Sequence, residues 1–151
     1  MKKYTASLDR MAEIATAITF IGILVSAWVQ FFPFTIILSL SLFISYLYSP
    51  RYYTTSETDF IVKRPIGEVK IARKDILKTE SIEGLKWSIR TFGVGGFFGY
   101  FGKYYNNAIG SMTWYATKRH DYVLITTSDN KIVITPDDKD DLMKDLKSDL
   151  I

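Results

Sequence analysis

The chain has 151 residues, 19 Lys and Arg against 16 Asp and Glu, one histidine and no cysteine. That length allows one domain of ordinary size beside a short membrane segment. The missing cysteine excludes disulfides and thiolate chemistry, one histidine makes a poor zinc or iron site, and a net charge of +3 is too small for a nucleic-acid footprint.

The chain starts with a short basic leader carrying Lys2, Lys3 and Arg10, and then residues 14–50 hold no charge at all. One straight helix over those 37 residues would run about 55 Å, far beyond a hydrocarbon core of about 30 Å. The run is therefore expected to double back near Gln30 and Pro33, giving helices over residues 11–32 and 34–49. The second would be only about 24 Å long and would need a thinned bilayer or help from Arg51 and Tyr52. Trp28, Phe31, Phe32 and Phe34 gather at the bend, and Tyr46, Tyr48, Tyr52 and Tyr53 at the other end, as two aromatic belts. Basic residues flank both outer ends (Arg51, Lys63 and Arg64 follow the second helix) and none lies at the bend. The positive-inside rule then puts both termini in the cytoplasm.

A cleaved signal peptide is excluded by the length of the run and the lack of a cleavage site. A soluble buried hairpin is disfavoured, because the 101 residues that follow are too few to cover it. A re-entrant hairpin is the remaining alternative. Ala15, Thr19, Gly22 and Ser26 form a stripe of small residues on the first arm, with Ser41, Ser45 and Ser49 on the second. Such faces allow close helix approach, either between the two arms or in a homo-oligomer.

Residues 51–151 read as one domain. Up to residue 136 it holds 13 Lys and Arg against 8 Asp and Glu, a basic body suited to an anionic leaflet; residues 137–151 reverse this with 3 Lys and 6 Asp. Residues 59–64 and 68–72 alternate as a hairpin around Pro65 and Gly67. Further strands are expected at 75–82, 86–92, 113–118, 122–127 and 131–135, the last two closed by Asp129 and Asn130. Residues 93–102, five glycines among aromatics, are expected to be a loop. A helix is expected over 136–150, with Thr135 as cap, Pro136 in the first turn, four aspartates at its positive end and a Leu142, Leu146, Leu150 stripe.

The sites that chemistry would need are missing or misspaced. His120 sits in a tight turn without a nucleophile motif. The glycine stretch fits neither a dinucleotide fingerprint, with Phe98 where the last glycine should be, nor a Walker loop, with Phe97 and Tyr104 at key positions. The 137–141 aspartates lack the glycine and glutamate of a calcium loop. No enzyme activity and no cofactor are expected. Two stretches remain as candidate lipid or partner contacts. Phe97, Phe98, Tyr100 and Phe101 either tuck into the domain's own core or form an exposed apolar patch. Lys63, Arg64, Lys70, Arg73 and Lys74 flank the first hairpin, as a solvated basic face or a weak attraction for anionic lipid.

Tyr48–Tyr53 (Tyr-Ser-Pro-Arg-Tyr-Tyr), the Arg64-Pro-Ile-Gly turn, the glycine-aromatic stretch, Tyr115-Ala-Thr and Ile134-Thr-Pro-Asp-Asp together resemble bacterial pleckstrin-homology-like domains carried behind a two-helix membrane hairpin. The resemblance implies about seven antiparallel strands in a strongly bent sandwich or open barrel, with the C-terminal helix plugging one end. It also implies a family defined by no catalytic residue. The expectation is a non-enzymatic interaction module at the cytoplasmic face of a bacterial inner membrane, touching lipids and a protein partner and able to homo-oligomerise. A lipid or small-ligand sensor, or an accessory subunit of a membrane complex, is the alternative.

Overall fold

A computed structural model describes residues 1–83, 85 and 88–147. Strand β1 (Lys2–Thr5) leads into helix α1 (Arg10–Trp28), which turns back into α2 (Phe32–Tyr48). Strand β2 (Tyr52–Thr55) follows and pairs antiparallel with β1, Lys2 opposite Thr55 and Thr5 opposite Tyr52. The two helices are thus an excursion between two adjacent strands, so their outer ends are held side by side. The basic leader is not a free flank but an edge strand of the β domain, and the first five residues belong with residues 51–151.

The reversal comes earlier than Pro33. Gln30 takes a left-handed φ of 56°, and the amide of Phe31 reaches back to the carbonyl of Ser26 at 2.9 Å. Pro33 lies in the first turn of α2, where its missing N–H costs nothing. Asp9 caps α1 by accepting from the amide of Ala12 at 2.8 Å.

The remaining strands are β3 (Asp59–Lys63), β4 (Glu68–Ala72), β5 (Ile76–Ile82), β6 (Ile89–Gly95), β7 (Tyr100–Asn106), β8 (Gly110–Ala116), β9 (Tyr122–Thr127) and β10 (Lys131–Ile134), and α3 (Lys139–Lys147) closes the fold. They form a four-stranded sheet in the order β1-β2-β3-β4 and a six-stranded sheet in the order β5-β9-β10-β8-β7-β6. The described residues therefore hold ten strands rather than about seven, and not all pairs are antiparallel, because β10 runs parallel to β8. Residues 86 and 87 of the strand expected at 86–92, and Leu150 of the expected helix stripe, lie outside the described residues.

The glycine-aromatic stretch is mostly strand. β6 runs through Gly95 and β7 restarts at Tyr100, leaving residues 96–99 as the turn. Gly93 and Gly102 face each other across the pair, and a Cβ on either would lie 2.3 Å from the partner strand's carbonyl oxygen. Glycine there permits two strands to approach, not a loop to form.

Period-two alternation builds two cores. Ile132 and Ile134 of β10 join Tyr53, Phe60, Val62, Val123, Ile125 and the α3 residues Leu142 and Leu146 between the sheets. Val133 points the other way, into a cluster with Tyr104, Met112, Trp114 and Leu124 that Ala12 of α1 helps to cover. Tyr53 ties the sheets together: its buried hydroxyl donates to the carbonyl of Tyr115 at 2.6 Å and accepts from the amide of Thr135 at 3.3 Å. Thr135 does not cap α3. Its hydroxyl accepts from the amides of Thr117 and Lys118 at 2.8 and 3.2 Å, and the helix begins at Lys139 behind Asp138, whose carboxylate accepts from the amide of Asp141 at 3.1 Å.

Candidate functional site: the junction of hairpin and domain

Three short stretches fix the hairpin to the β domain. Asp9 is the first anchor. Besides capping α1, its carboxylate accepts from the hydroxyl of Tyr100 at 3.3 Å and from the amide of Arg119 at 3.0 Å, and its own amide donates to the carbonyl of Thr117 at 3.2 Å. Burial, then the charge of Asp9, pushes the Tyr100 hydroxyl up to about 12, so it remains a donor at physiological pH. The second anchor is the 96–99 turn. Gly96 sits against Ala15 of α1, and the amide of Phe98, at a left-handed φ of 53°, donates to the hydroxyl of Thr16 at 3.3 Å. The third is the end of α2, where the carbonyl of Leu47 accepts from the amide of Ile66 at 3.1 Å.

The four aromatics do not form an exposed patch. Tyr100 and Phe101 are buried, and Phe97 and Phe98 are half-buried. The Phe98 ring meets Tyr46 edge-on at 5.4 Å, and the Arg51 guanidinium lies 4.4 Å from the centre of Tyr46 and 5.8 Å from that of Phe98. This cation between two rings is a stacked contact at the foot of α2. The sequence offered Arg51 as an interfacial anchor and a flanking positive charge, not as a ring contact.

The five basic residues near the first hairpin separate. Lys63 and Lys70 both pair with Glu68, the latter at 3.1 Å, and those hydrogen bonds, Lys63 first, hold the Glu68 carboxyl below its usual range. Arg73 pairs with Asp145 of α3 at 3.1 Å, on another side of the domain, and Lys74 is exposed. Arg64 turns instead toward the hairpin and lies 5.5 Å from the ring centre of Tyr48. No single basic face results.

Three members of the small-residue stripe on α1 meet other parts of the chain. Ala15 meets Gly96, Gly22 faces Leu38 of α2, and buried Ser26 accepts from the Thr35 hydroxyl at 2.8 Å; Thr19 donates to the carbonyl of its own Ala15. The opposite faces, including Ile18, Ile21, Val25, Ile36, Leu40 and Phe43, are exposed. By length and composition α1 suffices to cross a membrane; α2, at 17 residues, is shorter.

Sequence reasoning missed a groove beside this junction. Phe92 and Val94 of β6, Phe101 and Lys103 of β7, and Thr113 and Tyr115 of β8 stand opposite one another in register, on one face of the sheet. That face and the end of α2 enclose about 560 Å³. The alternation was visible, but it was hidden by reading 93–102 as a loop. Among the described residues no cluster of three or more His, Asp or Glu could hold a metal, and exposed His120 shares a hydrogen bond with its neighbour Asp121, at 2.7 Å.

Two open β-sheets followed by a C-terminal helix are consistent with a PH-like domain. A family model described as Bacterial PH domain matches residues 51–150, and the chain belongs to that family, whose members are in general not catalysts. No curated protein and no solved structure matches the chain. Strand β1, outside the matched span, completes the smaller sheet.

Proposed function

We propose that this chain is a non-enzymatic, membrane-anchored interaction module. Its helical hairpin crosses the inner membrane twice, both termini are cytoplasmic, and the PH-like domain is presented at the bilayer face. One observation carries the reading. The hairpin leaves its apolar outer faces uncovered, while Asp9, Thr16 and Leu47 fasten its outer ends to the domain. A tether this tight gives the domain one orientation toward lipid, which suits presenting a fixed surface to a protein partner or to the lipid itself. The strand edge of β6, with exposed Ile89 and Phe92, is a place where an extended segment can add.

Cross-linking of the full-length chain in its native membrane tests this. The expected result is a chain that resists alkaline extraction and yields discrete adducts larger than the monomer. A monomer that leaves the membrane in carbonate contradicts it. A lipid-sensing role is the second reading, favoured by the groove beside α2.

A further inference from the structure

We propose that the groove between α2 and the β6–β7–β8 face holds an anionic phospholipid of the surrounding bilayer, with an acyl chain against Ile44, Val94 and Phe101 and its phosphate on Arg64 and Lys103. This rests on the membrane reading above and names the ligand of its second form.

The walls point to this occupant. Ile44 and Tyr48 of α2 and the mostly apolar side chains of three strands line an open groove of about 560 Å³, a size usual for a small-ligand site. Ile44 is one turn deeper along the membrane helix than Tyr48, so the groove runs from the domain toward the hydrocarbon. It also continues. A second cavity of about 390 Å³ shares Ile44, Gly93 and Val94 and extends along Ser41, Ser45 and Phe97, with Arg90 in its lining. A chain of methylenes fits such a path, and a compact polar solute does not.

The charges point the same way. Among the described residues no carboxylate lines either cavity. Lys63 and Lys70 are both paired with the one carboxylate of Glu68, away from the groove lining, and Arg73 is paired with Asp145. Among the described residues Arg64 and Lys103 have no carboxylate partner. Lys103 donates only to the Thr113 hydroxyl, at 2.9 Å, and the buried Arg64 Nε has no hydrogen-bond partner. A buried donor left unmade is costly, and a phosphate oxygen is an acceptor whose geometry a guanidinium matches. Arg64 and Lys103 beside the apolar wall of Ile44, Val94 and Phe101, with Arg90 as a further cation in the adjoining cavity, give a cationic and apolar lining that suits an anionic lipid.

The full-length chain, reconstituted in vesicles of equal parts phosphatidylglycerol and phosphatidylcholine and then released gently, is examined by native mass spectrometry. Retention of phosphatidylglycerol, and not phosphatidylcholine, at about one per chain is expected. Arg64→Gln with Lys103→Gln is expected to weaken retention about thirty-fold, the loss of two basic contacts at a membrane surface. Lys63→Gln with Lys70→Gln serves as the control that leaves it unchanged. Val94→Trp, which fills the groove, is expected to abolish it, and Phe92→Ala provides a gentler change if Val94→Trp misfolds. Equal retention of both lipids, retention indifferent to Arg64 and Lys103, or displacement by glycerol phosphate alone overturns the proposal. A chain that inserts in vesicles but keeps no lipid overturns this inference only; a chain that does not insert overturns the anchoring reading as well.

Discussion

Asp137 shows how much one side chain can hold in this fold. Its carboxylate accepts from the amide and hydroxyl of Ser7, at 3.2 and 2.6 Å, and pairs with Lys118, so it joins the segment entering α1 to the turn after β8. Burial alone would raise its pKa; the Lys118 and Ser7 hydrogen bonds outweigh this and hold it well below the usual carboxylate range. A depressed folded pKa contributes stability that is present above the unfolded value of about 4 and is lost as pH falls toward the folded one. Asp137→Asn is thus expected to lower the melting temperature at neutral pH, with the gap to the wild type closing below about pH 4. Thermal unfolding followed by circular dichroism at several pH values checks this, and a gap that is constant with pH contradicts it. The sequence placed Asp137 at a helix start because four aspartates stood before a leucine stripe. Its true partners, Ser7 and Lys118, are 130 and 19 residues away in the chain, and no local pattern carries that information.

At the scale of elements, the glycine pair of β6 and β7 decides whether the outer strands of the larger sheet can close. Gly93 and Gly102 have φ of 113° and 127°, and a methyl on either would collide with backbone. Gly102→Ala is therefore expected to cost a few kcal/mol, from backbone strain and overpacking together. Gly110→Ala, with φ of 87° but open space around it, carries the strain alone and is expected to cost less. Hydrogen exchange of the β6 amides reads both changes, and equal protection in the two variants contradicts this role for Gly102. The same glycines explain why the strands here were hidden: dense glycine normally breaks regular structure, and only the facing strand shows why it is needed. Strands such as β3, β4, β9 and β10 were legible because Val, Ile and Thr alternate between clear turns. Strand β1 was not, since four residues hold it and its pairing with β2 spans some fifty positions, Lys2 to Thr55. Tyr52 and Tyr53 looked like interfacial aromatics because they follow the helices directly; Tyr53 is instead the fully buried bolt between the sheets.

For the whole molecule, the uncharged run told where the helices are and that they reverse, and the junction explains what the reversal achieves. Pairing of β1 with β2 brings both helix ends to one place, Asp9 and the 96–99 turn lock α1 there, and the groove beside α2 is a consequence of that docking. None of this could be read from a chain position, because each contact joins the hairpin to residues far along the sequence. The proposed anchoring and the proposed access of the groove to lipid both rest on a hairpin that crosses the bilayer twice from the domain side. The chain has no cysteine, so Gln30→Cys at the bend provides a single labelling site. In intact cells an impermeant thiol reagent is expected to reach that one thiol from the periplasm, while tags at both termini are accessible only after the inner membrane is opened. A bend labelled only from the cytoplasm, or termini on opposite sides, would contradict it.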